Sequence, residues 1–138
     1  MGKTKVLLVE DLLIARIAEK LILDKLDCDI DFAENGAQAL ELASKNVYDI
    51  ILMDIGLPDL DGFEVAAAIR GLPNCGSKSQ NEVLVQPLNV ITPIVALTAH
   101  LGGEFKAKCN VAAIDHYLTK PLTEETGRSL INLYAKTK

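Results

Sequence analysis

The amino-acid sequence predicts an α/β fold, in which helices cover both faces of a five-stranded parallel sheet in three layers. Short apolar runs alternate with longer amphipathic segments along the chain, five of each, as in successive β-α units. The first apolar run, VLLV, is continuous rather than alternating, which indicates a strand buried on both faces. Because crossovers between parallel strands are right-handed, the connecting helices are expected on both sides of the sheet.

Each element follows from its local pattern. The predicted strands are short apolar or alternating runs, and they cover 6–9, 28–32, 48–53, 93–99 and 116–120. The predicted helices have an apolar side or a high alanine content, and they cover 12–26, 37–45, 63–70, 105–113 and 123–138. Asn35 and Gly36 supply a turn ahead of the second helix, and Gly127 is a weak point of the last one.

The first helix carries two apolar rows. The row expected to face the sheet recurs every four residues and consists of Ile14, Ala18, Ile22 and Leu26. The second row lies about 100° round the helix and consists of Leu13, Ile17 and Leu21. An apolar row that stays exposed is typical of a surface that binds another helix.

Length and composition limit the functional classes. The 138 residues predict a single domain over 1–138. The net charge of −5, and basic residues that are dispersed without interleaved aromatics, argue against nucleic acid as a partner. Three scattered cysteines fit neither a disulfide framework nor a zinc site, which indicates a reducing compartment. The sequence shows no signal peptide or spanning run, so a cytoplasmic protein without direct membrane contact is expected.

The chemically active side chains lie at the carboxyl ends of the predicted strands. Glu10 and Asp11 follow the first strand, Asp54 follows the third, Thr98 lies near the end of the fourth, and Lys120 ends the fifth. In parallel α/β sheets, ligands bind at the carboxyl ends of the strands, near the point where the strand order reverses. These five residues are therefore the candidate site.

Four segments carry a resemblance to a known family. They are VLLVED, LMDIGLPDLDG, IVALTA and YLTKP, and none of them is rare alone. In this order and spacing they resemble the receiver domain of two-component response regulators, over nearly the whole chain. The resemblance implies a flavodoxin-like sheet with the strand order 2-1-3-4-5.

That strand order makes the first and third strands neighbours, which brings Glu10, Asp11 and Asp54 into one pocket. Two ionised carboxylates about 5 Å apart repel by roughly 3 kcal/mol at an effective dielectric constant of about 20, so a compensating cation is needed. Mg²⁺ suits such oxygen ligands. The resemblance implies that Asp11, Asp54 and the backbone carbonyl of Gly56 bind Mg²⁺ directly, while Glu10 acts largely through water.

The resemblance also implies roles for the other site residues. Asp54 is expected to accept a phosphoryl group from a histidine of the partner, and Lys120 to contact a phosphoryl oxygen. Thr98 and Tyr117 are expected to form a switch pair that changes conformation after phosphorylation. Receivers bind the histidine-bearing helix of the partner near the first helix, so Leu13 and Ile17 are expected to contact it.

The implied function is that of a phosphoacceptor module in a phosphorelay, which assists only its own phosphorylation and dephosphorylation and is not an enzyme. Its partner is expected to be a histidine kinase or a histidine phosphotransfer protein. The segments VED, MDIGLPDLDG and LTAH look more like those of receivers in hybrid histidine kinases. A stand-alone response regulator is the alternative. A hydrolase of the haloacid-dehalogenase type is a further alternative, although it needs a second aspartate where Gly56 stands.

One segment departs from the family pattern. The stretch at about 71–92 is longer than receivers usually have there, and it mixes Gly, Ser, Asn and Pro with the apolar VLV. Two interpretations of this segment remain: it is an insertion-like loop without function, or it makes a contact specific to one partner.

Overall fold

The computed structural model describes residues 4–55, 62–71, 91–98, 114–120 and 122–135. The strands are β1 (Thr4–Val9), β2 (Cys28–Ala33), β3 (Ile50–Asp54), β4 (Ile94–Thr98) and β5 (His116–Thr119). All neighbouring pairs are parallel, and the strands form one sheet in the order β2-β1-β3-β4-β5. The predicted parallel sheet and its strand order are confirmed.

Four helices lie in the described ranges, namely α1 (Leu13–Lys25), α2 (Gly36–Lys45), α3 (Gly62–Arg70) and α4 (Glu124–Ala135). Helix α2 begins at a capping residue, because the side-chain oxygen of Asn35 accepts a hydrogen bond from the backbone N–H of Gln38 at 2.9 Å. None of the described helices is both long and apolar enough to cross a bilayer. The predicted helix at 105–113 and most of the predicted loop at about 71–92 lie outside the described residues.

The sheet is covered on both faces, and each central strand contributes to two separate cores. Successive side chains of a strand point to opposite faces, so the odd and even positions divide between the cores. The core beneath α2 and α3 includes Leu7, Val9, Ile51, Met53, Val65 and Ala96. The core beneath α1 and α4 includes Val6, Leu8, Leu23, Leu52, Leu97 and Leu130. The run from Val6 to Val9 is fully buried, as predicted for a strand covered on both sides.

The same alternation directs the acidic side chains at the strand ends. Leu8 and Leu52 belong to the core beneath α1 and α4. Glu10 and Asp54 come two residues later, so the period of two turns both of them toward the α1 side of the sheet. The backbone N–H of Glu10 still donates to the carbonyl oxygen of Ala33 at 3.0 Å, which extends the strand ladder as far as this residue.

The orientation of α1 differs from the sequence-based expectation. Ile14 is 82% exposed and Ala18 is also exposed, so the predicted inward row is wrong in its first half. Its second half is partly right, since Ile22 and Leu26 are half-buried against the core beneath α1 and α4.

The inner face of α1 instead carries Arg16, Glu19 and Leu23, which are spaced by three and four residues. Glu19 and Leu23 are buried, and Arg16 is mostly buried. The helix begins beside the carboxyl ends of β1 and β3, where the neighbouring groups are the Glu10 carboxyl and backbone rather than apolar side chains. Polar residues therefore occupy the start of the inner face.

Candidate functional site

The register of the sheet brings Glu10 beside Asp54. Val9 of β1 pairs with Met53 of β3, so the residues that follow them are neighbours at the carboxyl edge of the sheet. The exposed fraction of Glu10 is 0%, and that of Asp54 is 7%. Both carboxyl groups are withdrawn from bulk water, so their charges need compensating partners.

Asp11 completes an acidic cluster with these two residues. One carboxylate oxygen from each of Glu10, Asp11 and Asp54 lies within 4.8 Å of the other two. Asp11 is half-buried and links the cluster to solvent. Hard oxygen donors at this separation suit Mg²⁺, which takes one or two carboxylates and keeps several water ligands. The predicted metal ligands among the described residues thus fit the ion, and Gly56 lies outside those residues.

Lys120 brings positive charge to the cluster. Its Nζ atom lies 3.0 Å from Oε1 of Glu10 and 3.3 Å from Oδ1 of Asp54. The sheet holds the lysine in place, because its backbone N–H donates to the carbonyl oxygen of Thr98 at 2.7 Å. The ammonium group therefore bridges the two buried carboxylates.

The pKa values of Glu10 and Lys120 reflect this arrangement. Burial raises the pKa of Glu10; the hydrogen bond from Lys120 opposes the shift, and the charge of Asp54 adds to it. Burial acts to lower the pKa of Lys120, but its hydrogen bond to Glu10 and the charges of Asp54 and Glu10 outweigh burial and raise it. Lys120 is therefore a permanent cation at neutral pH, while Glu10 takes up a proton more readily than an exposed glutamate.

Two residues of α1 lie at the site, and neither was predicted from the sequence. The Arg16 Nη1 atom donates to the backbone carbonyl oxygen of Glu10 at 3.0 Å. Glu19 is buried, and burial followed by the negative charge of Glu10 raises the pKa of Glu19 to about 8. A signal was present in the sequence: the two charged residues lie three apart, hence on one face, within a mostly apolar segment.

The predicted switch residues lie on adjacent strands near the same edge. Thr98 is the last residue of β4 and is half-buried. Tyr117 of β5 pairs with Ala96 of β4, and its half-buried ring packs against the core beneath α2 and α3. The two residues remain a predicted switch pair.

Gly62 allows the chain to pass close to the end of β3. Its backbone N–H donates to the carbonyl oxygen of Ile55 at 3.1 Å. A Cβ atom at position 62 would lie 2.7 Å from the Cα atom of Ile55 and 3.0 Å from the carbonyl oxygen of Asp54. The glycine that ends DIGLPDLDG is therefore required for a close backbone approach beside Asp54.

The predicted partner-contact residues lie on the outer face of α1. The exposed fractions of Leu13 and Ile17 are 59% and 51%, and three further apolar neighbours are exposed with them. We call these five residues the α1 patch: Leu12, Leu13, Ile14, Ile17 and Leu21. The patch adjoins the acidic cluster, since the backbone N–H of Leu12 donates to Oε2 of Glu10 at 3.4 Å.

Comparison with known proteins decides the family. The model of the response regulator receiver domain matches residues 6–132. The chain belongs to the receiver family. As a receiver domain it is a signalling module rather than a catalytic enzyme, which favours the receiver over the hydrolase alternative.

Receiver-containing kinases are among the relatives. The receiver is 30% identical over 150 residues to "Probable histidine kinase 1" of Oryza sativa subsp. indica, in a match that covers 96% of this chain and 16% of that protein. It is 37% identical over 139 residues to "Hybrid signal transduction histidine kinase B" of Dictyostelium discoideum, covering 96% of this chain and 6% of that protein. The receiver thus spans a small part of the length of these relatives.

A solved structure agrees over almost the whole length of both chains. The receiver domain of the sensor histidine kinase PA1611 from Pseudomonas aeruginosa PAO1 matches with a TM-score of 0.79 and 28% identity. The match covers 97% of this chain and 98% of that one. That receiver has a magnesium ion coordinated in its active site cleft.

Proposed function

We propose that this receiver accepts a phosphoryl group on the Asp54 carboxylate, with Mg²⁺ as the cofactor. The donor is a phosphohistidine of a histidine kinase or of a histidine phosphotransfer protein. The observation that carries the proposal is the cluster: Glu10 and Asp11 lie within 4.8 Å of Asp54, and the Lys120 ammonium lies 3.3 Å from it. A carboxylate nucleophile beside a fixed cation and the ligands for a second cation suits phosphoryl transfer.

The transfer exchanges one bond to phosphorus for another. A carboxylate oxygen of Asp54 attacks the phosphorus atom, and the bond from phosphorus to the imidazole nitrogen breaks. That nitrogen keeps the electron pair, so a ring that is protonated on its other nitrogen leaves as neutral imidazole. Asp54 becomes an aspartyl phosphate, and the receiver contributes position and charge rather than an acid or a base.

Two sources of positive charge act on the phosphoryl oxygens. Asp11, Asp54 and the backbone carbonyl of Gly56 would bind Mg²⁺ directly, with Glu10 acting through water. When bound, the ion neutralises the charge on the phosphoryl oxygens. Lys120 contributes from the β5 side, since its Nζ atom can turn from Oδ1 of Asp54 to a phosphoryl oxygen.

The switch that follows phosphorylation is proposed to involve Thr98 and Tyr117. The Thr98 hydroxyl donates to a phosphoryl oxygen, and the Tyr117 ring moves inward into the space that the hydroxyl leaves. The half-buried position of Tyr117, at the boundary between core and solvent, supports this role because it gives the ring a direction in which to move.

Incubation with acetyl phosphate and Mg²⁺, followed by intact mass measurement, tests the phosphoacceptor proposal. We expect one phosphoryl group per chain, and none after Asp54→Asn, because an amide is not a nucleophile for phosphorus. Asp29→Asn is the matched control, since it removes the same charge at an exposed position near the amino end of β2. This control should be labelled like the parent. A label that survives Asp54→Asn overturns the proposal, and so does rapid turnover to many phosphates per chain, as a hydrolase would give.

The α1 patch is proposed as the surface that binds the histidine-bearing helix of the partner, through Leu13 and Ile17. The patch is apolar, exposed and adjacent to Asp11, so a helix packed on it brings its side chains to the acidic cluster.

Leu13→Glu combined with Ile17→Glu tests this surface. We expect the rate of transfer from a phosphorylated histidine phosphotransfer protein to fall by about tenfold or more, because each charge must be buried in the complex. The rate with acetyl phosphate should stay unchanged. Leu133→Glu on α4 is the matched control, since Leu133 is equally exposed and lies outside the patch. Equal losses with both donors would indicate misfolding and contradict the assigned surface.

The cellular setting is also a proposal. The kinases that the receiver resembles support a cytoplasmic receiver module of a hybrid sensor histidine kinase. A stand-alone response regulator is the second candidate. The reading frame that flanks the coding sequence decides between them, because a hybrid kinase encodes its kinase domain in the same frame.

A further inference from the structure

Arg16 is a mostly buried cation that phosphoryl transfer, as proposed above, does not use. It lies on the inner face of α1, where 14% of its side chain is exposed. A guanidinium group withdrawn from water costs free energy unless its N–H groups find acceptors. An apolar residue would satisfy packing alone, as Leu23 does two turns further on the same face. The acceptors of Arg16 therefore indicate why an arginine is there.

The guanidinium group contacts the chain just beyond two neighbouring strands. Its Nη1 atom donates to the backbone carbonyl oxygen of Glu10 at 3.0 Å, and its Nη2 atom lies 3.7 Å from Oε2 of Glu34, the residue after β2. The Glu34 side chain is 61% exposed, so water screens this pair and it adds direction more than energy. The charge-assisted hydrogen bond to Glu10 is therefore the principal interaction.

The Glu10 carbonyl group lies where the sheet gives way to the helix. The ladder of β1 extends as far as the backbone N–H of Glu10, which donates to the carbonyl oxygen of Ala33 at 3.0 Å. The next peptide unit joins Glu10 to Asp11, and α1 begins after Leu12, whose side chain makes no capping hydrogen bond. Arg16 thus reaches back from the first turn of α1 and holds a peptide unit between strand and helix.

This peptide unit directs the side chain of Asp11. A peptide is planar, so the position of the Glu10 carbonyl oxygen fixes the plane that leads into the Cα atom of Asp11. Asp11 supplies the half-buried carboxylate of the acidic cluster, with an oxygen within 4.8 Å of those of Glu10 and Asp54. A rotation of that plane would therefore aim the Asp11 carboxylate away from the other two.

We propose that Arg16 is a positioning residue, which holds the peptide between Glu10 and Asp11 so that the Asp11 carboxylate faces the metal pocket, and thereby strengthens the binding of Mg²⁺. Groups that orient metal ligands commonly change metal affinity by about 10- to 100-fold when they are removed. The inference rests on the proposed function only in taking Mg²⁺ as the ion. The charge of Arg16 acts in the opposite sense, because a cation near the pocket repels Mg²⁺.

Calorimetric titration with Mg²⁺, without any phosphodonor, tests the inference. Arg16→Met keeps an unbranched stem without a donor and should weaken Mg²⁺ binding by about tenfold. A role of the charge alone predicts tighter binding instead. With acetyl phosphate, the Mg²⁺ concentration for half-maximal phosphorylation should rise by the same factor. The rate at saturating Mg²⁺ should change little, because Asp54 and Lys120 are intact.

Two control variants separate positioning from other effects. Arg128→Met is the same substitution at an exposed arginine, which pairs with Glu124 at 2.7 Å within α4. It should leave both Mg²⁺ affinity and the melting temperature unchanged. Leu23→Ala removes packing from the inner face of α1, so it should lower the melting temperature and leave Mg²⁺ affinity unchanged.

Parent-like or tighter Mg²⁺ binding in Arg16→Met would overturn the inference, and so would an equal loss of affinity in Leu23→Ala. Arg16→Lys covers the case in which the methionine variant does not fold. One ammonium group then replaces the two nitrogens that contact Glu10 and Glu34, so Mg²⁺ affinity should fall several-fold although the charge is kept. Parent-like affinity in this variant would contradict the role. Failure of phosphorylation with these affinities as expected would count against the proposed function alone.

Discussion

Replacing Lys120 with methionine is expected to lower the free energy of unfolding by roughly 3 kcal/mol in EDTA at neutral pH, the lower end of the range for breaking a buried ion pair. The ammonium group lies 3.0 Å from Glu10 and 3.3 Å from Asp54, and methionine leaves both buried carboxylates without it. Urea unfolding followed by circular dichroism measures the change. Added Mg²⁺ should restore part of the loss, because an ion that binds the folded state but not the unfolded state stabilises the folded state.

The loss of unfolding free energy in Lys120→Met should grow as pH rises. The pKa of Glu10 in the folded protein is raised above its usual value of 4.5, so the folded state binds more protons than the unfolded state above that pH. Stability contributed by this group therefore falls as pH rises from 4.5 through the folded-state pKa. Without the charge of Lys120 the pKa rises further, so the deficit of the variant should widen as pH rises and narrow in acid.

Lys20→Met is the matched control for Lys120→Met. Lys20 makes an exposed ion pair with Asp24 at 2.7 Å within α1, and such pairs contribute about 0.5 kcal/mol or less. Its loss should leave stability nearly unchanged at every pH. If Lys120→Met is as stable as this control in EDTA, the buried bridge between Glu10 and Asp54 is not a significant interaction.

The second large effect is expected from Gly62→Ala. The added Cβ atom would lie 2.7 Å from the Cα atom of Ile55 and 3.0 Å from the carbonyl oxygen of Asp54, so the backbone next to Asp54 must move. We expect a loss of about 2–3 kcal/mol in stability, as for an overpacked core. We also expect phosphorylation by acetyl phosphate to slow by about tenfold or more, because a displacement near 1 Å can cost up to about a hundredfold.

Gly127→Ala is the same substitution at a position where the structure can adapt. The new Cβ atom would lie 3.1 Å from Cδ1 of Leu26, the end of a flexible side chain, and 3.5 Å from Cγ2 of Ile22, which is an ordinary van der Waals contact. Alanine gains up to about 1 kcal/mol over glycine within a helix, so the net change should stay within about 1 kcal/mol. Phosphorylation should be unaffected. A Gly62→Ala variant that behaves like Gly127→Ala would contradict the close approach at β3.

The positions of Glu10, Asp54 and Lys120 could be predicted because strand ends are local features. Each residue terminates an apolar run, and the carboxyl ends of parallel strands share one edge of the sheet. The resemblance supplied the order 2-1-3-4-5, which periodicity alone does not determine. Order and register together then bring an oxygen of Asp11 within 4.8 Å of the other two acids.

The role of Gly62 could be anticipated only in part. The Gly, Pro and Asp residues of DIGLPDLDG predict a turn after β3, but the distance from position 62 to the Ile55 backbone depends on how α3 begins. Local sequence indicates that the chain turns there. It does not indicate how close two backbone segments come after the turn.

The local sequence predicts the parallel α/β class, the acids at the ends of β1 and β3, and the lysine at the end of β5, because each of these depends on runs of a few residues. Which face of α1 turns inward was decided only by the tertiary structure. Apolar residues lie on nearly every side of that helix, so hydrophobicity does not single out one face. At the sheet edge the backbone carbonyl oxygen of Glu10 accepts a hydrogen bond from Arg16, and Glu19 is buried on the same side of α1, which leaves the apolar residues of the α1 patch in solvent.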